Sequence, residues 1–68
     1  MKIYLIEDRQ GWVALPERIA GYSIPLSFGS KQGATQFPFK SCAQKAIKKY
    51  HLENTAHVEE FEFDKIGE

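Results

Sequence analysis

Hydrophobic positions along this chain recur with two periods. Between Ser41 and Leu52, Ala43, Ala46, Ile47 and Tyr50 fall at the i, i+3, i+4, i+7 spacing of one buried helical stripe. Lys45, Lys48 and Lys49 fall on the other side. Ser41 is the expected N-cap, and Gln44 three residues later completes a capping box. Elsewhere the period is two. Lys2 to Glu7 reads as a strand with Ile3 and Leu5 on one face and Tyr4 and Ile6 on the other. A strand apolar on both faces is expected at the centre of its sheet. Asp8-Arg9-Gln10-Gly11 is a turn, and Trp12 to Leu15 is the return strand that Pro16 ends. Glu17 to Gly21 reads as a connector pivoting at Gly21. Tyr22, Ile24, Leu26 and Phe28 then alternate with Ser23, Pro25 and Ser27, which marks a strand with one buried face. Pro25 sets part of it at an edge or beside a bulge.

Gly29 to Ala34 is a loop rich in turn formers. Thr35 to Lys40 is a short strand or an extended lead-in to the helix, with Phe37 and Phe39 on one face. Ala56 to Asp64 is the last strand. Phe61 and Phe63 point one way there, and Glu60, Glu62 and Asp64 the other. Val58 is out of phase with the phenylalanines, so a bulge is expected near Glu59. Lys65 to Glu68 is expected to fray.

The order β-β-β-(β)-α-β predicts an α+β fold, a mostly antiparallel sheet of three to five strands with one helix packed on one face. Tyr4, Ile6, Trp12 and Val58 are the candidates for the uncovered face. Clustered there, they would make an apolar patch suited to a protein partner or a homodimer. Sixty-eight residues form a single domain that hides only about 60% of its unfolded surface, so its five Phe, three Tyr and one Trp matter. The lone cysteine cannot form an internal disulfide, and with two histidines it makes no zinc set. No apolar run approaches the roughly 20 residues of a membrane span, and Glu7 and Asp8 interrupt the opening too early for a signal peptide. The expectation is a soluble, cytoplasmic domain in a reducing compartment.

Nine basic and nine acidic residues cancel, but they segregate. Lysines dominate the middle, and Glu59, Glu60, Glu62 and Asp64 the last strand. Such a two-signed surface can select a partner by charge. Cys42 lies in the first helical turn, where the helix dipole favours a thiolate, but a small buried core residue is the favoured reading. His51 sits where a cation helps the helix C-terminus, and His57 on the sheet surface. The acidic strand sends alternate residues to opposite faces, which argues against a metal site. No catalytic set, metal or cofactor is expected, and the chain is read as no enzyme. Lys40, Lys45, Lys48 and Lys49 are the candidates for phosphate contacts. Three strands followed by such a helix are superficially similar to the arm-binding domains of phage integrases, but neutral net charge weighs against tight DNA binding.

Ile6-Glu7-Asp8, then Gly11-Trp12-Val13-Ala14-Leu15-Pro16 and Gly21-Tyr22, resembles the opening of HicB-like antitoxins. Gly33-Ala34-Thr35 before Ala43, Ala46, Ile47 and Tyr50 is similar to that family's Gly-x-Thr lead into an Ala-rich helix. Ile24 to Lys31 would be an insertion. The resemblance implies a partial ribonuclease-H-like fold and a small ribonuclease toxin as partner. The reading is therefore a non-enzymatic module that neutralises a nuclease or other nucleic-acid-processing protein. It would act as an antitoxin or as an anti-CRISPR-type inhibitor of a phage or mobile element. Tyr4, Trp12, Glu60, Glu62 and Asp64 are the expected partner contacts. The alternative is a small DNA-binding domain using the sheet and the helix lysines.

Overall fold

The computed structural model describes residues 1–62. Phe63, Asp64 and the Lys65–Glu68 tail lie outside the described residues. The elements are β1 (Lys2–Asp8), β2 (Gly11–Ala14), β3 (Glu17–Ile19), β4 (Tyr22–Ile24), β5 (Ser27–Gly29), helix α1 (Lys40–Lys49) and β6 (Ala56–Glu62). A single 3-10 turn covers Lys31–Gly33. Four strands form one antiparallel sheet in the order β5-β2-β1-β6, and β3 pairs with β4. The fold is α+β, as the alternating and helical periods together require. Among the described residues, no helix is long and apolar enough to cross a membrane.

β1 is flanked on both sides, as its two apolar faces demand. Its register with β6 runs unbroken from Lys2 opposite Glu62 to Asp8 opposite Ala56. No bulge interrupts it, contrary to the expectation at Glu59. Val58 lies opposite Ile6 and packs on the helix-side core, whereas Phe61 lies opposite Ile3 on the other face. That core joins Ile6, Val13, Phe37, Ala43, Ala46, Ile47 and Leu52. Ile6 and Val13 are its largest fully enclosed side chains. Burying each contributes about 1.5–3 kcal/mol. Tyr4, Ile6 and Val58 were expected on the uncovered face; all three belong to this core or pack against it. With both faces of β1 apolar, only the position of α1 decides which set it covers.

β1 and β2 pair only at Glu7 with Trp12 and Asp8 with Gly11, and then part. The chain after the 3-10 turn fills the wedge. Thr35 donates its amide to the Val13 carbonyl (3.2 Å), and its hydroxyl accepts from the Leu15 amide (2.8 Å). Phe37 exchanges two 2.9 Å backbone bonds with Tyr4. Of the segment Thr35 to Lys40, the residues to Phe39 are thus a plug with one bridge rather than a ladder strand, driving Phe37 into the core, and Lys40 already belongs to α1. α1 begins one residue before the expected cap. Phe39 is the N-cap, in an extended conformation with no side-chain bond to the helix, so Ser41 lies inside the first turn. The helix ends in a Schellman arrangement. His51 takes φ +57°, and its amide reaches the Lys48 carbonyl (3.3 Å), while Leu52 reaches Ile47 (2.9 Å). The contribution of His51 is this left-handed backbone.

Asp8 is the one buried charged residue among those described. Its carboxylate accepts from the Thr55 hydroxyl and from the Gln10 amide at 3.1 Å. The Thr55 bond, helped by the Gln10 and Arg9 amides and opposed by burial, holds the carboxyl below its ordinary range. The same contacts fasten the β1–β2 turn to the start of β6.

Candidate functional site

The two short strands β3 and β4 continue the β2–β5 pair without a change of register. Trp12 lies opposite Gly29, Val13 opposite Phe28 and Ala14 opposite Ser27. Glu17 lies opposite Ile24, Arg18 opposite Ser23 and Ile19 opposite Tyr22. Carried through the gap, this register sets Leu15 against Leu26 and Pro16 against Pro25. Neither proline has an amide to donate, so the ladder breaks at that rung from both strands at once. The result is one long ribbon from Gly11 to Gly29 divided into a stem and an arm. Ala20 (φ +50°) and Gly21 (φ +85°) close its tip. Positive φ at both central residues is the I′ geometry that suits a two-residue hairpin.

The stem is bonded into the sheet, and Val13, Leu15, Leu26 and Phe28 on its helix side pack in or against the core. Alternation carries that strip into the arm as Glu17, Ile19, Tyr22 and Ile24, with Arg18 and Ser23 on the reverse. Here no described residue covers it. Ile19 is 52% exposed, Tyr22 75% and Ile24 44%. Every residue of β3 and β4 is exposed. The radius of gyration, 12.4 Å, exceeds the roughly 11 Å of a compact chain of this length, as an extended arm requires. A two-stranded hairpin is marginal by itself in water. In this arm Ile19, Tyr22 and Ile24 form an exposed apolar patch on the face that is buried in the stem. The sequence reading divided it between a connector and a strand. The signal it missed was the placement of Pro16 and Pro25 at equal distances from Ala20-Gly21.

The expected partner contacts are dispersed. Tyr4 lies on the helix face, half-buried against the core and bridged to Phe37. Trp12 is on the open face, where its ring meets that of Phe61 at 5.8 Å and 59°. The Lys31 ammonium lies 3.7 Å from the Phe61 centroid and 5.8 Å from that of Trp12. Leu5, on the same face of β1, is only 3% exposed. This side of the sheet therefore carries a small aromatic pair of its own, over which the Lys31 ammonium of the 3-10 turn lies. Glu60 and Glu62 are on the helix face and are paired within the chain. Lys2 contacts Glu60 at 2.7 Å, and the Met1 amine contacts Glu62 at 3.0 Å. The hydrogen bond and charge of Glu60 raise the Lys2 pKa above its ordinary value. Asp64 lies outside the described residues.

Lys40, Lys45, Lys48 and Lys49 are all exposed on α1, and none of the four is ion-paired among the described residues. Cys42 is exposed, which corrects the buried reading. No family model matches the chain, and neither a curated protein nor a solved structure matches it significantly.

Proposed function

We propose that this chain is a protein-binding module that docks by laying the apolar strip of its arm into an apolar groove of a partner protein. One observation carries the reading: Ile19, Tyr22 and Ile24 are large, exposed and aligned as the continuation of a strip that is buried in the stem. Docking would bury them and order an arm that is marginal when free. Trp12, Phe61, Glu60 and Glu62 have partners within the chain, so the arm is the better contact. In this reading the partner is a nuclease or other nucleic-acid-processing protein, which the module neutralises by occlusion. The resemblance of the opening segment to HicB-like antitoxins supports that partner class.

The test is quantitative co-purification of tagged wild-type chain and an Ile19→Ser/Tyr22→Ser/Ile24→Ser variant from the source cell, with thermal unfolding of both. A stoichiometric protein should accompany the wild type and be lost from a folded variant. Equal recovery with the variant would overturn the role of the arm. The four exposed helix lysines, none ion-paired among the described residues, favour a second reading, DNA binding. In that case duplex affinity should fall steeply with salt, and Lys45→Glu/Lys48→Glu should weaken it.

A further inference from the structure

Cross-strand pairing creates a constellation that alternation along β6 alone conceals. Glu7 lies directly opposite His57, and Glu59 is two residues further on the same face. Their ligand atoms converge. His57 Nε2 is 2.6 Å from Glu59 Oε2 and 3.4 Å from Glu7 Oε1. One atom from each of the three residues lies within 4.8 Å of the others. We infer that Glu7, His57 and Glu59 form a binding site for a divalent transition metal, with Zn2+ as the representative ion, on the open face of the sheet.

The chemistry follows from the donor set. With the proton on Nε2, the 2.6 Å contact with Glu59 is a hydrogen bond that serves one carboxylate only; a cation at the centre of the three atoms would engage both carboxylates and the imidazole. Imidazole nitrogen with carboxylate oxygen suits Zn2+ and its neighbours in the first transition row. Bonds of about 2.0–2.1 Å in a tetrahedron place ligand atoms about 3.3 Å apart. The Glu7–His57 separation of 3.4 Å is close to that value, and the His57–Glu59 contact has to open from 2.6 Å to reach it. The three side chains stand on two paired strands, one of them central, so the site is held by the sheet rather than by a loop. Three protein ligands leave a coordination position for water or an external donor. This inference is independent of the arm.

The fold provides a local reporter. Trp12, the only tryptophan, lies opposite Glu7 on its other flank. Ni2+ and Co2+ share the ligand preference of Zn2+ and quench indole fluorescence at close range. The experiment titrates the intact chain with Ni2+, reads Trp12 emission, and adds Zn2+ as competitor. It repeats this for His57→Ala, Glu7→Gln, His51→Ala and Cys42→Ser. The expected result is saturable quenching that Zn2+ reverses. Affinity should drop by more than about tenfold in His57→Ala and Glu7→Gln, since loss of even an outer partner of a metal ligand has that effect. His51→Ala and Cys42→Ser should match the wild type. Amide and His ring shifts of the wild-type chain under Zn2+ should move at Glu7, His57 and Glu59 whether or not the variants fold. Unsaturable quenching, equal affinity in His57→Ala or Glu7→Gln, or Zn2+ shifts centred on His51 or Cys42 would overturn the assignment.

Discussion

Gly11→Ala tests the packing of the stem at its tightest point. Gly11 has φ +136°, outside the regions that an L-residue adopts readily. A Cβ there would stand 2.9 Å from the Gly29 carbonyl oxygen and 3.1 Å from its nitrogen. Both are backbone atoms and cannot rotate away. The variant must strain its backbone, at about 1–3 kcal/mol, and also push β2 away from β5, with an overpacking penalty of about 1–3 kcal/mol. The two together cost about 2–6 kcal/mol. A chain of this size has roughly 3–10 kcal/mol of stability in all. Urea unfolding followed by Trp12 fluorescence should show a large fall in midpoint. Gly29→Ala is the control, because a Cβ on Gly29 meets nothing within 4 Å. It should change stability by less than about 0.5 kcal/mol, as open surface sites do. A Gly11→Ala loss below about 1 kcal/mol, the centre of ordinary substitutions, would refute the close approach, and so would equal losses at the two glycines.

Thr55→Val removes the hydroxyl that holds Asp8 and should cost about 1.5–3 kcal/mol at neutral pH, read from urea titration. Because the folded Asp8 pKa lies below its ordinary value near 3.8, its contribution is full above that pH and is lost as pH falls through the lower folded value. The acid limb of the stability profile should therefore be shallower in Thr55→Val than in wild type. Phe39→Asp gives α1 the side-chain cap it lacks and should raise stability by about 1 kcal/mol by thermal unfolding. Ala20→Asn suits the left-handed tip better than alanine and should slow amide exchange in the arm, with little change in the global unfolding midpoint.

Much of the fold is written in local pattern. Apolar residues on both faces of β1 require a central strand, and Ala43, Ala46 and Ile47 trace the helix stripe. The Asp8–Gly11 turn and the alternation from Tyr22 to Phe28 are equally visible. What the pattern cannot carry is which face a tertiary partner covers. Tyr4 and Val58 went to the helix, and Trp12 with Phe61 went to the Lys31 ammonium, because α1 and the 3-10 turn arrive from distant parts of the chain. Val58 seemed out of phase only because Phe61 was assumed to share its face. Ser41 made a better cap by composition than Phe39, but the bridge of Phe37 to Tyr4 fixes where the chain enters the helix. The arm was hidden because Pro16 reads as the end of one strand, Glu17 to Gly21 as a connector and Pro25 as an edge or bulge within another strand. Set opposite one another they are a paired interruption, a relation that exists only once the register is known. Glu7 and His57, fifty positions apart, meet for the same reason.

The most direct test of the docking role is amide hydrogen–deuterium exchange on the free chain and on its complex with the co-purified partner. In the free chain, amides from 17 to 24 should exchange far faster than those of β1 and β6. In the complex the arm amides should become protected, with β6 and the lysine face of α1 unchanged. Protection confined to α1 or β6, with the arm still exchanging freely, would contradict the account.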